Sequence, residues 1–341
     1  MEDCAQIVNN LTVAGQGCEE CEEMVNVAMV GLGAFGRKHL DALDSIDDAD
    51  VVAVADPVEA TAKEFGEARG VRYETDLDVL LADDEIDAVV LATPTQVHAS
   101  QAIACLDAGK HVAVEIPLCD NLADGHAVLA AQERAAKVAV CGHTRRFNPS
   151  HQWVRNRITA GEFTIQHMDV QTFFFRRTNT NALGQPRSWT DHLLWHHAAH
   201  TIDLFQFQTG SPVVAANAMQ GPFHTDLGIA MDMSIQLKTE AGQLCTLALS
   251  FNNEGPLGTF FRYIGDTGTY IARYDDLVDG KDEAIDVSKV DVSMNGIELQ
   301  NRNFIEAITN GTEPIASVAS VFPCYEVLAQ LQDQLGPGGH A

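Results

Sequence analysis

This sequence has little positive charge. Its 341 residues carry 21 lysines and arginines against 48 aspartates and glutamates, a formal net charge of -27. Only seven of those cations are lysines. Such a balance repels a phosphate backbone, so nucleic acid is excluded as a partner. It fits a solvated acidic surface, and the scarcity of lysine also fits a salt-rich cytosol. Long apolar runs are missing as well. None approaches the ~18 residues of a membrane-spanning helix, which excludes the membrane. Residues 1–23 are acidic and lack the basic start and apolar centre of a secretory signal, so a cytoplasmic location is expected. They also lack helical or strand periodicity and read as a disordered extension, with Met24 as an alternative start. Paired cysteines are scarce. Of eight cysteines only Cys18 and Cys21 lie close together, and no second pair completes a zinc site. Internal repeats and low-complexity tracts are absent.

What is present is organised around Val27 to Asp56. An apolar run, Val27-Ala28-Met29-Val30, leads into Gly31-Leu32-Gly33-Ala34-Phe35-Gly36. A charged helical segment, Arg37 to Leu43, and a second apolar run, Val51 to Ala55, follow and end on Asp56. This is a G-x-G-x-x-G between two strands, with an acid about 20 residues on. Gly31 permits the tight turn, Gly33 lets a pyrophosphate approach the backbone, and Gly36 lets the helix pack on the sheet. The helix start offers free N–H groups to the phosphates. Asp56 is placed to accept from an adenosine ribose, and it should repel a 2′-phosphate, which favours NAD.

Apolar runs and helical segments alternate from there to Gly142. Ala88 to Ala92 is a buried strand followed by Thr93-Pro94-Thr95-Gln96-Val97-His98, with a helix from about Ser100 to Ala108. Val112 to Glu115 is the next strand. The rhythm predicts an α/β Rossmann domain, a doubly wound parallel sheet over residues 24–143. Ligands then lie at the strand carboxyl ends, where the Gly loop, Asp56, Thr93-Pro94, Glu115 and His143 fall. From Thr144 the pattern changes to alternating runs with a helix over Leu193 to Phe207. It predicts an α+β domain with a large, mostly antiparallel sheet over 144–312. A C-terminal helix and tail, 313–341, should pack back near the first domain.

The Gly loop, Thr93-Pro94-x-x-x-His98 and Glu115-Ile116-Pro117 resemble the Gfo/Idh/MocA oxidoreductase family over nearly all of residues 24–335. In most members the middle residue of Glu-x-Pro is a catalytic lysine; here it is Ile116. Longer strings, Gly142 to His151, Pro186 to His200, Phe251 to Tyr263 and Asp286 to Leu299, resemble a subgroup in which that lysine is absent. The resemblance implies a catabolic dehydrogenase of protocatechuate 4,5-cleavage, an aromatic-degradation route. Its substrate would be a small ring-cleaved dicarboxylate semialdehyde, oxidised as a cyclic hemiacetal to 2-pyrone-4,6-dicarboxylate. It implies an NAD(P) cofactor with NADP in common use, against the NAD preference read from Asp56, and a homodimer. The cofactor-binding set would be Gly31, Leu32, Gly33, Ala34, Phe35, Gly36, Asp56, Thr93, Pro94, Thr95, His98 and Glu115. Two other readings stand beside this one: a sugar or cyclitol dehydrogenase of the same family, and a non-catalytic NAD(P)-binding regulator.

Oxidising an aldehyde carbon needs an attached oxygen. Cys119, and then Cys141, is the candidate for a thiohemiacetal, but neither has a basic neighbour in sequence and both read as structural. A hemiacetal brings its own hydroxyl and needs only a base. The base candidates lie in Trp195-His196-His197-Ala198-Ala199-His200-Thr201-Ile202-Asp203. Helical spacing puts His196, His200 and Asp203 on one face. Matched to the family pattern D-x-G-x-H-x-x-D, His200 falls on the histidine and Asp203 on the last acid, while His196 and Ala198 replace the usual aspartate and glycine. His200, His196 and Asp203 are the catalytic candidates, with Asp203 alternatively an orienting or packing group. His197 reads as structural. The i, i+4 histidines resemble a zinc pair, but the intervening glutamate is missing, so no metal is expected. Two substrate carboxylates suit arginine forks. Arg145, Arg146, Arg176, Arg177 and Arg187 are the candidates, with ion pairing as the alternative for each. Trp189 and Trp195 would wall the pocket or pack in the core.

Overall fold

The computed structural model describes residues 24–336 except 181–183, 185, 188–189 and 289–295. The N-terminal extension, Cys4, Cys18, Cys21 and Trp189 therefore lie outside the described residues.

Six short apolar segments make a parallel sheet: Val25–Val30 (β1), Ala49–Ala55 (β2), Arg72–Glu74 (β3), Ala88–Leu91 (β4), His111–Val114 (β5) and Ala139–Cys141 (β6). Their order is β3-β2-β1-β4-β5-β6. All four residues of β4 are buried, as a central strand covered on both faces requires. The covering helices are Ala34–Leu43 (α1), Glu59–Arg69 (α2), Leu77–Leu81 (α3), Thr95–Asp107 (α4) and Leu122–Ala135 (α5). Local chemistry sets their ends. Asp76 and Asn121 cap α3 and α5 by accepting the N–H of Asp78 and Asp124. Gly70, at φ +70°, ends α2 in the left-handed region. The chain order reverses between β1 and β4, the place where such sheets hold ligands.

Beyond β6 a 3₁₀ turn, Thr144–Phe147, leads into helix Pro149–Thr159 (α6). A seven-stranded sheet follows: Ile165–Phe173 (β7), Val213–Gln220 (β8), Asp232–Thr239 (β9), Leu244–Ser250 (β10), Gly258–Gly265 (β11), Thr269–Arg273 (β12) and Asp276–Asp279 (β13). Its order is β13-β12-β11-β7-β10-β9-β8, antiparallel throughout except for β7 beside β10. Burial alternates along β9. Met233, Ile235, Leu237 and Thr239 face in, and Ser234, Gln236 and Lys238 face out. Val214, Met219 and Leu244 are exposed large apolar residues of β8 and β10. Helices Ile297–Asn310 (α8) and Val318–Leu335 (α9) return to the first sheet, α8 against α1 and α9 against α5. The expected fold class, a Rossmann sheet followed by an α+β unit with a mostly antiparallel sheet, is what is found.

Four local readings change. α4 begins at Thr95, not near Ser100, because Pro94 supplies an extended N-cap (φ -64°, ψ 142°) and Thr-Gln-Val-His carries no apolar period to betray a helix. α6 escapes periodicity because its buried side includes Ser150 and His151. β13 escapes because it is four residues with acidic ends. The helix over Leu193 to Phe207 is not uniform. Leu193–Ala198 is π-helical, and only Ala199–Thr209 (α7) is α-helical.

Candidate active site

The carboxyl ends of the first sheet open into a cavity of about 1290 Å³ that residues of the second sheet also line. Ordinary small-molecule sites span roughly 300–1,000 Å³, so there is room here for a long ligand and a second one beside it.

The Gly loop is built as its chemistry requires. Gly31 sits at φ +89°, and a Cβ there would lie 2.5 Å from the Ala92 carbonyl oxygen. A Cβ on Gly36 would lie 1.8 Å from the Gly31 oxygen, so nothing larger fits under the helix. A Cβ on Gly33 would meet nothing within 4 Å, leaving open space in front of the backbone. α1 starts at Gly33 with no side-chain cap, so its first N–H groups face the cavity unclaimed. Asp56 follows β2 and lines the cavity, its carboxylate oriented by the N–H groups of Leu32 (3.0 Å) and Val58 (2.9 Å). Asp76 and Asp78 line the same end, with Lys38 the basic neighbour. These residues fit a dinucleotide: a phosphate cradle without side chains, then an acid at ribose distance.

Ala34, Phe35, Thr93, Pro94, Thr95, His98 and Glu115 also line the cavity; Leu32 is buried beneath it. His98 is tied between the carbonyls of Thr93 and Pro117, 2.7 Å from each, and so joins the loops after β4 and β5. Glu115 is held by His39, whose Nε2 lies 2.7 Å from its Oε1, while His39 Nδ1 meets Asn301 Oδ1 at 3.0 Å. His39 and Asn301 went unremarked in the sequence. His39 follows Gly36 by three positions on the buried side of α1, and that spacing was the available signal. Ile116 lines the cavity as well.

The histidine segment divides. His196 and His200 both line the cavity. His196 Nδ1 accepts the His192 N–H (3.1 Å), which leaves its Nε2–H to donate to Thr95 Oγ1 (3.1 Å). Burial lowers its pKa to about 3, so it is a neutral strut whose two nitrogens are engaged. His200 differs. Its buried Nδ1 has no hydrogen-bond partner. Burial, then the charges of Arg145 and His143, hold its pKa well below the usual imidazole value. It is a neutral imidazole on the cavity wall with an uncommitted nitrogen. His197, read as structural, instead lines the cavity, because the wider π turn brings consecutive residues to that side.

The structure does not bring Asp203 to the cavity. It is buried on the side of α7 away from the cavity, where the guanidinium of Arg146 grips both carboxylate oxygens at 2.9 and 2.6 Å. Within the α-helix His200 lines the cavity while Asp203, three residues on, turns to Arg146 and His143 instead. Arg146 spends its other donors on Ile315 O, Ser320 Oγ and Ser320 O, so it holds α9 rather than a ligand. Arg177 is also off the cavity, stacked on Phe175 at 4.3 Å. Arg176 lies just behind the wall and donates to Asp191 Oδ2. Arg145 and Arg187 do line it. Arg145 lies over the ring of Tyr274 (5.0 Å) and donates to Asn148 (3.2 Å). Tyr274 is itself a wall residue at φ +53°, a strained backbone that no sequence pattern announces. Trp195 packs in the core, its Nε1 3.4 Å from Gln332 Oε1. Cys119 and Cys141 are buried and do not line the cavity. Burial pushes the Cys119 thiol up to about 12 and raises Cys141 too, so neither offers a thiolate. Among the described residues no cluster of three His, Cys, Asp or Glu is arranged to hold a metal, and no helix is long and apolar enough to cross a membrane.

Comparison with known proteins agrees with this geometry. Residues 25–143 match the oxidoreductase family with an NAD-binding Rossmann fold, and 149–291 match the C-terminal domain of bacterial oxidoreductases. The chain is 62% identical over 316 residues to 4-carboxy-2-hydroxymuconate-6-semialdehyde dehydrogenase of Sphingobium sp. (strain NBRC 103272 / SYK-6), covering 92% of this chain and all of that one. It is 24% identical to scyllo-inositol 2-dehydrogenase (NAD(+)) of Bacillus subtilis (strain 168) over 87% of this chain and 90% of that protein. In structure it resembles the WlbA dehydrogenase from Bordetella pertussis, with a TM-score of 0.80 at 21% identity over 92% of this chain and 95% of that one. The chain thus belongs to the Gfo/Idh/MocA family of oxidoreductases and is an NAD(P)-binding dehydrogenase of that family.

Proposed function

We propose that this chain oxidises 4-carboxy-2-hydroxymuconate-6-semialdehyde, in its cyclic hemiacetal form, to 2-pyrone-4,6-dicarboxylate. The observation that carries this reading is His200: a neutral imidazole with an unpartnered nitrogen, in one cavity with the guanidinium of Arg145 and, among the described residues, with no thiol on the wall. The 62% identity over the whole of the Sphingobium dehydrogenase supports the choice of substrate. The ring hydroxyl gives its proton to His200 as the carbon–oxygen double bond forms. The bound dinucleotide supplies the acceptor for the hydride that leaves the same carbon. Arg145 holds one carboxylate as a charge-assisted fork. Ile116 makes no proton transfer, and the lysine of most relatives is not needed when the substrate carries its own hydroxyl. The outward face of the second sheet, with Val214, Met219 and Leu244, is the surface we assign to a homodimer, which light scattering decides.

The direct test adds the semialdehyde to purified enzyme with each cofactor and follows absorbance of reduced nicotinamide. Asp56, Asp76 and Asp78 crowd the adenosine end with negative charge, so NAD should exceed NADP in kcat/KM by on the order of tenfold or more. No reduction with either cofactor removes the substrate; a strong NADP preference removes the cofactor reading. A second test isolates the phosphate cradle. Gly33→Ala fills empty space, so the melting temperature should hold while NAD affinity drops about tenfold or more, the measure of one displaced phosphate contact. Unchanged affinity would place the pyrophosphate elsewhere.

A further inference from the structure

A two-residue turn, Tyr274-Asp275, joins β12 to β13, with Arg273 paired to Asp276 across it. Its first residue has φ +53°, a left-handed backbone for which glycine or asparagine is the ordinary choice. A tyrosine there costs stability, and such a cost retained on a cavity wall implies a use for the side chain. The surrounding contacts fix where that side chain goes. Ser150 donates its hydroxyl to the Tyr274 carbonyl, and Asn148 donates to Asp275 Oδ1 at 3.2 Å, so the segment that carries Arg145 grips this turn. The Arg145 guanidinium lies over the Tyr274 ring, 5.0 Å from its centroid, and hydrogen-bonds its hydroxyl. A Cβ on Gly258, at φ +115°, would lie 2.8 Å from that hydroxyl oxygen, so bare glycine backbone makes room for it beside Thr259, another wall residue. Arg145 donates Nη1 to Asn148, its Nε is buried without a hydrogen-bond partner, and no carboxylate among the described residues comes within ion-pair distance of it. Burial lowers its pKa, and the Tyr274 phenol is the first group to oppose that. A guanidinium only donates, so the phenol oxygen accepts from Arg145 and its O–H proton is left for another acceptor.

We propose that Tyr274 is a substrate-binding residue whose hydroxyl and the Arg145 guanidinium together seat one carboxylate of the ligand. The proposal rests on the reading of a dicarboxylate substrate, in which Arg145 holds one carboxylate, and adds the second donor to it. One carboxylate oxygen accepts the phenol O–H and the other faces the guanidinium, so the ligand supplies the counter-charge that the chain does not. No proton changes hands in this contact. The strained turn has a physical role here. A phenol pinned from Asn148, Ser150 and Arg145 has little freedom left to lose when the carboxylate arrives, so more of the hydrogen bond appears as affinity.

The experiment titrates the enzyme, loaded with NADH, with 2-pyrone-4,6-dicarboxylate, and measures NADH affinity and melting temperature beside it. Tyr274→Phe keeps the ring under Arg145 and the same backbone and loses only the hydroxyl. It should weaken the dicarboxylate about tenfold or more, the scale of one hydrogen bond to a charged group, with NADH affinity and melting temperature near wild type. Tyr274→Asn tolerates the left-handed backbone but loses ring and hydroxyl together, and should weaken the dicarboxylate further. A double-variant cycle tests the shared carboxylate. With Arg145→Gln already in place, Tyr274→Phe should cost less than about threefold, because both donors act on one group. A Tyr274→Phe affinity within about twofold of wild type overturns the proposal. So does an equal loss in both backgrounds, which makes the two residues independent, or a matching loss of NADH affinity, which places the tyrosine on the cofactor. The semialdehyde assay keeps the two readings apart. If wild type turns over the semialdehyde while Tyr274→Phe binds the dicarboxylate unchanged, the function stands and only the role of the tyrosine falls. If wild type neither turns over the semialdehyde nor binds the dicarboxylate, both fall.

Discussion

His200→Asn lowers kcat by about 10²–10⁴-fold while leaving NAD affinity and the melting temperature near wild type, the range expected for losing a positioned general base. The expectation follows from the contrast between two histidines four residues apart. His196 has both nitrogens engaged, by the His192 N–H and by Thr95. His200 has a buried nitrogen with no partner. His196→Asn should therefore act on geometry and stability more than on the chemical step, and the ratio of the two kcat losses separates base from strut. A kcat for His200→Asn within a fewfold of wild type would sink the assignment. The pH dependence has a definite sign. His200 is depressed in the folded chain, so it stays a free base as pH falls through the ordinary imidazole value of about 6.5. The acid limb of kcat/KM should accordingly begin well below about pH 6.5, and a limb at that value would contradict the burial. The same group contributes to acid sensitivity. Its unfolded form gains a proton that the folded form resists, so its share of stability shrinks below about pH 6.5.

Asp203→Ala costs about 3–5 kcal/mol of folding stability, read from the urea midpoint, because it strands the Arg146 guanidinium in the interior. Arg146 is buried, and both oxygens of Asp203 answer it. Its remaining donors reach Ile315 in the preceding loop and Ser320 in the first turn of α9, so the pair links α7 to the start of α9. A double variant, Asp203→Leu with Arg146→Met, should recover most of the loss, since removing both charges removes the desolvation cost. Failure of the double variant to recover would mean that the bonds to α9 matter more than the ion pair. Burial pushes the Asp203 carboxyl up, but His143 and Arg146 outweigh it and hold its pKa low. For a depressed carboxyl the stabilisation is complete above the unfolded value of about 3.9 and is lost as pH falls through the folded one. The wild-type protein should therefore lose this contribution only in strong acid, and Asp203→Ala should flatten the acid limb of the stability curve.

Both predictions turn on which side of a helix faces the cavity. The residue types were legible in the string His196-His197-Ala198-Ala199-His200-Thr201-Ile202-Asp203; the facing was not. His197, in the π turn over Leu193–Ala198, reaches the cavity wall, while Asp203, on α7, turns to Arg146. The five candidate arginines show the same limit. Composition and charge picked them out, but Arg146 is held off the cavity by partners distant in sequence, and Arg177 by its neighbour Phe175 and the Phe251 carbonyl. Asp191, Tyr274 and Asn301 carried no local mark at all, since their significance is whom they meet.

The Gly loop, Asp56 and the alternation of apolar runs determined the nucleotide-binding half from sequence alone, because backbone clearance, strand burial and a 20-residue spacing are local properties. The change of rhythm after Thr144 likewise determined that a second sheet follows. Only the tertiary structure decided which imidazole is uncommitted, which guanidinium faces a ligand and which carboxylate is a counter-ion. Those are properties of pairs, and a buried charge or a lone pair is free or engaged according to neighbours that the chain brings in from up to 262 positions away.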